Sequence, residues 1–166
     1  MTIKTEINTA DLRKALGTFA TGVTIVTTLD KDKNRIGVTV NSFSSVSLEP
    51  PIVLWSLKKS SPNVAAFDHS GRFVINVLAQ TQVNLSQRFA SSIQDKFSSV
   101  EFREGLGGLP MIENCVASFQ CMTYQRIEAG DHILYLGEVN EYARADYPTL
   151  IFCKGKYMSG QEIEAI

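Results

Sequence analysis

Hydrophobic and polar positions alternate most regularly between residues 36 and 61. Ile36, Val38 and Val40 fall on one side of an extended chain and Thr39 and Asn41 on the other, the two-residue period of a half-buried strand. A run of hydroxyl side chains follows (Ser42, Ser44, Ser45, Ser47), and then Pro50-Pro51. Ile52 to Leu57 is apolar enough for a strand covered on both faces. It closes on Ser56, Lys58, Lys59, Ser60 and Ser61. Two strands that both end in short polar side chains predict a slot with apolar walls and hydrogen-bonding ends, suited to a flat heteroaromatic ring with a phosphorylated tail.

The rest of the chain supplies more strands than helices. Thr9 to Phe19 is predicted as an amphipathic helix, capped by Asn8 or Thr9, with Leu12, Ala15, Leu16 and Phe19 on one face. Thr21 to Thr28 has the β-branched density of a strand, and Asp30 to Asn34 reads as a solvated hairpin turn. Ser61-Pro62 predicts a helix start, with the helix running to about Asp68 and ended by Gly71. Such an end, ringed by Lys58, Lys59, Ser60 and Ser61, has the partial charge to hold a phosphate. It reads equally as a capped helix beside two solvated lysines.

Arg72 to Leu78 is a strand, and Thr81 caps a helix over Gln82 to Ser91 that buries Val83, Leu85 and Phe89, with Ser86, Gln87 and Arg88 on its polar side. Cys115–Ile127 and His132–Val139 read as long strands around a turn at Glu128 to Asp131, and Leu150 to Tyr157 as a last strand, with Met158 to Ile166 at the surface. Six or seven strands joined mostly by hairpins, with two or three short helices, predict a mainly β, closed antiparallel barrel in one domain spanning residues 1–166. Gly105-Leu106-Gly107-Gly108 is no dinucleotide fingerprint, because no convincing strand precedes it and Pro110 follows at once.

Composition narrows the function classes. A formal net charge of −1 gives no reason to expect nucleic acid or an acidic membrane surface, and no apolar run approaches a membrane span. No apolar signal core lies in Met1 to Asn8, which makes the cytoplasm the expected location. Cys115, Cys121 and Cys153 lack metal-ligand spacing and are read as core residues with raised pKa; no metal is expected. With only His69 and His132 as bases and no Gly-x-Ser-x-Gly elbow, hydrolase chemistry is disfavoured. His132 opens a strand after Gly130-Asp131, at a barrel rim where loops present side chains to ligands. Its chemistry alone leaves open whether it meets one.

Phe19-Ala20-Thr21-Gly22-Val23, Gly37 to Phe43, Ser45 to Leu48, Pro50-Pro51, Phe73 to Leu78, Leu85 to Ala90, Gly130-Asp131-His132, and Phe152 with Gly155 and Tyr157 stand in one order and spacing. In these the chain resembles the short-chain flavin reductases, NAD(P)H:flavin oxidoreductases that supply two-component monooxygenases. The resemblance runs from about Leu12 to Tyr157. It implies an FMN-binding split β-barrel, antiparallel and Greek-key-like, working as a homodimer with flavin near the subunit interface.

It also implies site roles. Thr39, Val40, Asn41 and Ser42 would lie along the isoalloxazine, with Ser45 and Ser47 near the ring or ribityl chain. Ser56, Leu57, Lys59 and Ser61 would take the phosphate. Ser86, Arg88 and Phe89 would lie beside the outer end of FAD or the phosphate of FMN, and Tyr157 belongs to the same set. Asp131 and His132 would meet the nicotinamide nucleotide, with His132 as the catalytic side chain. Hydride would pass from nicotinamide C4 to flavin N5, and reduced flavin would diffuse to a partner monooxygenase. FMN against FAD, and NADH against NADPH, stay open, as do a flavin carrier and a reductase of another acceptor. Trp55 departs from the family, where smaller residues are usual; it either narrows the slot or fills core.

Overall fold

A computed structural model describes residues 6–161. Seven strands form the main sheet in the order β3-β2-β6-β9-β10-β5-β4, every pairing antiparallel. They are β2 (Thr24–Leu29), β3 (Arg35–Val40), β4 (Ser44–Leu48), β5 (Pro51–Lys58), β6 (Arg72–Val77), β9 (Ala117–Ala129) and β10 (His132–Arg144). The sheet curls until edge strand β3 comes up against β5. β4 pairs with β5 only as far as Leu54, so Trp55 to Lys58 face the open side of β3 without a backbone ladder between them. That unzipped seam is the split of the predicted barrel.

A second sheet joins β1 (Thr21–Gly22), β11 (Leu150–Cys153) and β12 (Lys156–Ser159), and a small ribbon pairs β7 (Phe102–Glu104) with β8 (Pro110–Ile112). The predicted strand over Leu150 to Tyr157 is therefore a hairpin. Lys154 and Gly155 both hold positive φ, 51° and 76°, and turn the chain back on itself. The Thr21–Thr28 strand is likewise broken at Val23 into β1 and β2, which join different sheets. The glycine run at 105–108 does follow a strand, β7, but leads through a single 3₁₀ turn into β8 and opens no helix.

β2 is buried along nearly its whole length, and its threonine hydroxyls all find acceptors: Thr24 on the Val40 carbonyl (3.1 Å), Thr27 on Pro110 (2.5 Å) and Thr28 on Arg72 (2.7 Å). Buried Asn76 donates to the Ile25 carbonyl (2.9 Å) and accepts from the Ile112 N–H (2.9 Å). The barrel interior is filled by Val26, Val53, Trp55, Phe67, Phe73, Ile75 and Tyr135, with Phe67 contributed by α2 (Val64–Ser70). A second core under α3 (Val83–Ala90) gathers Ile25, Leu78, Phe89, Phe97 and Leu150. Gly37 is needed here, because a Cβ on it would sit 2.5 Å from the Phe89 ring.

α1 spans Thr9–Leu16, two bonds to Asn8 Oδ1 cap it, and none of its residues is buried. Its predicted apolar face looks outward: Leu16 is 67% and Phe19 78% exposed. α2 begins at Val64, three residues after Ser61, and ends at Gly71 in the left-handed region. Ser61 is thus not its N-cap and Pro62 not its first residue. Instead the Ser61 N–H closes a turn on the Lys58 carbonyl (2.9 Å), and Ser61 Oγ accepts from Asn63 N (3.3 Å). Residues 162–166 of the predicted surface tail lie outside the described chain.

Candidate functional site

The seam between β3 and β5 opens into a cleft of about 350 Å³. Val38, Thr39, Val40, Asn41 and Ser42 form one wall; Ser56, Leu57 and Lys58 form the other; Ser60, Ser61 and His132 stand at its mouth. Ser42 joins the walls, its hydroxyl accepting from the Ser56 N–H (2.9 Å) and donating to the Ser56 carbonyl (3.2 Å). Lys58 and His132 are direct cross-strand partners on β5 and β10. A second cavity of about 430 Å³ shares Val38 and Ser61 with the first and adds Arg35, Asn63, Phe89, Ser91 and Lys96. The two form one groove along the barrel.

Eight predicted residues therefore share the cleft: Thr39, Val40, Asn41, Ser42, Ser56, Leu57, Ser61 and His132. Phe89 lines the neighbouring cavity. The others stand apart from both. Ser45 and Ser47 lie on edge strand β4 and line neither space. Lys59, expected at a phosphate, points to Glu128 (3.0 Å), while its backbone N–H holds the Asp131 carbonyl (2.9 Å). Ser86, expected on a polar helix face, is buried. Its hydroxyl bonds Tyr157 Oη (2.8 Å) and its carbonyl accepts from the Thr39 hydroxyl (2.7 Å). Arg88 is turned to the carbonyls of Lys96 (2.7 Å) and Asp95 (3.1 Å), fixing the loop that follows α3.

Lys58 and Ser60, expected at the polar end of the slot though not among the residues the resemblance assigns, line the cleft as well, and Lys58 shares a side of β5 with Ser56. Lys96 was missed because it lies in a polar loop. Its ammonium reaches the Phe89 carbonyl (2.8 Å), and burial pulls its pKa down.

Asp131 Oδ1 lies 2.8 Å from His132 Nδ1. That hydrogen bond and the attraction of His132 hold the Asp131 carboxyl below the usual carboxylate range. Glu128 is held low in the same way by Lys59 and Arg126. Burial pushes the Cys115 and Cys121 thiols up to about 12, which leaves them protonated and inert as nucleophiles at neutral pH.

What the cleft offers a ligand is mostly backbone. Two strand edges face each other, and Ser42 bridges them through the Ser56 backbone. Edge N–H and C=O groups arranged in a plane suit a flat heteroaromatic ring rich in donors and acceptors. The volume falls in the range of small-molecule sites. Trp55 does not narrow this slot; its ring is turned inward and fully buried.

A family model for the flavin reductase like domain matches residues 16–161. The chain belongs to the flavin reductase-like family. It is 43% identical over 148 residues to a probable flavin reductase of Rhizobium meliloti, covering 89% of this chain and 48% of that protein. It is 39% identical to the reductase component of the flavin-dependent trigonelline monooxygenase of Acinetobacter baylyi, covering 90% and 48%. The chain spans about half the length of these two relatives. Among solved structures, the NADH:FAD oxidoreductase SgcE6 of Streptomyces globisporus, in complex with NAD and FAD fragments, superposes with a TM-score of 0.89 at 31% identity, covering 98% of this chain and all of that one. The family assignment agrees with the split barrel, whose open seam is the groove described above.

Proposed function

We propose that this chain is an NAD(P)H-dependent flavin reductase that passes reduced flavin to a separate monooxygenase. The observation that carries the reading is the unzipped β3–β5 seam with Lys58 and His132 facing each other at its mouth, in a chain of this family. The reductase-component name of the Acinetobacter relative supports the monooxygenase partner. The complex of SgcE6 with NAD and FAD fragments supports the pairing of a nicotinamide nucleotide with FMN or FAD.

A flavin bound in the cleft would supply the redox chemistry, as the acceptor of hydride from a nicotinamide nucleotide. The protein's own residues bind and orient. The β3 edge and the Asn41 side chain offer hydrogen bonds along the ring edge, where negative charge gathers on reduction. Lys58, Ser60 and Ser61 place a cation and hydroxyls at the cleft mouth for the phosphate. His132, oriented by Asp131, would flank the nicotinamide and help fix its face against the ring. No side chain has to remove a proton, which fits a cleft without a buried acid or base.

We further place the protein in the cytoplasm as a homodimer. Leu54, Leu134 and Leu136 share the outer face of β5 and β10 with Ile127 of β9, the last partly exposed. This apolar face adjoins Ser56 and His132, so a second copy seated on it would wall the cleft. Light scattering on the purified protein tests the dimer.

The activity test mixes the full chain with NADH or NADPH and with FMN, FAD or riboflavin, and follows nucleotide oxidation under air. Flavin-dependent turnover is expected. Tight flavin retention without turnover would instead identify a flavin carrier.

A further inference from the structure

The chain's single tryptophan is fully buried, one side-chain layer behind the cleft. It precedes Ser56 and Leu57 of the cleft wall, and Val38 and Val40 of the opposite wall pack against its cluster. The indole stacks on Tyr135, with centroids 4.9 Å apart and planes at 17°. Tyr135 Oη in turn donates to Asp68 Oδ1 at 2.8 Å, and Asp68 is half-exposed and paired with Arg126 at 3.0 Å. The indole N–H has no acceptor.

Packing alone does not account for this arrangement. Leucine or phenylalanine at position 55 would fill the barrel without an unpaired N–H, whose burial costs about 1–3 kcal/mol. Phenylalanine at 135 would stack as well and would need no carboxylate. We propose that Trp55, Tyr135 and Asp68 form a relay that moves a one-electron oxidising equivalent from the indole behind the cleft to the Tyr135 phenol and the released proton to half-exposed Asp68.

The steps balance as follows. A one-electron oxidant in the cleft, such as a photo-excited flavin or an oxygen-derived radical formed where reduced flavin meets dioxygen, takes one electron from the indole. The indole becomes a radical cation, and with no acceptor at its N–H it keeps its proton. Tyr135 then gives one electron back to the indole. Its O–H bond breaks as it does so, the proton crosses the hydrogen bond to the Asp68 carboxylate, and a neutral phenoxyl radical remains. A soluble thiol or enediol reductant docked at the Asp68 end supplies the last electron to the buried phenoxyl by transfer across the intervening side chains, and Asp68 returns the proton. Burial, with the Asp68 carboxylate beside it, holds the resting phenol well above its ordinary pKa, so the proton leaves only on oxidation.

The choice of flavin-derived oxidants rests on the proposed function, but the relay can be tested without flavin. In the full chain, azide radicals generated by pulse radiolysis oxidise tryptophan, and only Trp55 can give an indolyl signal. First-order decay of that signal is expected, matched by growth of phenoxyl absorption and independent of protein concentration. Tyr135→Phe should abolish the coupled growth and lengthen the indolyl lifetime, and Asp68→Asn should slow it several-fold. Unchanged decay in Tyr135→Phe would overturn the relay. Should that variant misfold, the Asp68→Asn rate decides alone, and an unchanged rate overturns the proposal. A separate arm adds FMN and reads flavin excited-state quenching, which Trp55→Phe should remove. Absence of FMN binding there would count against the proposed function and leave the radiolysis result standing.

Discussion

Ser42 closes the barrel's split by offering the Ser56 backbone both halves of a missing strand partner: its one hydroxyl accepts the N–H at 2.9 Å and donates to the carbonyl at 3.2 Å. The side chain stands in for a rung of ladder where β3 and β5 otherwise stay apart. A hydroxyl so committed fixes the width of the slot more than it reads a ligand.

Ser42→Ala should therefore act on stability and binding together. Leaving the half-buried Ser56 N–H unpaired costs about 1–3 kcal/mol. For a chain of this size each kcal/mol lowers Tm by roughly 2–4 °C. Calorimetry should show a fall of that order, and titration should show weaker FMN and riboflavin binding alike, because the slot and not the phosphate end is disturbed. An unchanged Tm with unchanged affinities would show that water replaces the hydroxyl without loss.

The two adjacent lysines should separate cleanly. Lys58 lines the cleft, whereas Lys59 is spent on Glu128. Lys58→Ala should weaken FMN by about fivefold, roughly 1 kcal/mol for an exposed charge pair, and leave riboflavin unaffected. Lys59→Ala should have the smaller effect on FMN, and the Lys58 effect should shrink in high salt. Equal losses for FMN and riboflavin in Lys58→Ala would remove it from the phosphate end.

Much of this was written in the local pattern. The alternation of Ile36, Val38 and Val40 and the apolar run through Leu57 predicted both cleft walls, because period-two burial is a property of a strand by itself. What stayed hidden depends on partners far away in sequence. Ser86 reads as a polar helix position until Tyr157 and Thr39, 71 and 47 residues distant, are seen to claim its hydroxyl and carbonyl. Arg88 looks like a ligand-binding cation until the loop after α3 folds back on it. Lys58 is the last residue of β5 and lines the cleft, whereas Lys59 lies just past the strand end, where its ammonium meets Glu128. The outward face of α1 could not be told from a core face, since both carry the same stripe.

His132→Ala should divide kinetics from folding. The ring stands half-exposed at the start of β10, with Asp131 as its hydrogen-bonding neighbour, so its loss leaves no cavity in the core. KM for NADH is expected to rise several-fold, with FMN affinity and Tm held. Asp131→Asn, which keeps the shape and removes the charge orienting the ring, should show a milder change of the same kind. Its stability consequence has a defined sign. The Asp131 carboxyl is held low in the folded chain, so its contribution is present above the unfolded value of about 3.9 and is lost as pH falls below it. The variant should accordingly lose part of the wild type's sensitivity to acid. Unchanged NADH kinetics in His132→Ala would take the residue out of the site.

The buried thiols set the behaviour at the other end of the pH scale. Burial raises Cys121 to about 12, and its side chain packs among Phe73 and Tyr135 in the barrel interior. In the unfolded chain the same thiol ionises near 8.5. Between those values the unfolded state has shed a proton that the folded state keeps, so the unfolded state binds fewer protons and stability falls as pH rises. Each such thiol should cost up to about 1.4 kcal/mol per pH unit in that window. Urea midpoints measured from pH 8 to 11 should fall more steeply for the wild type than for Cys121→Val, which keeps an apolar side chain of similar size. The same burial should make Cys121 unreactive to a neutral-pH thiol reagent in the folded protein. Parallel urea curves, or prompt labelling of Cys121 at pH 8, would show that the barrel opens around it far more often than its packing implies.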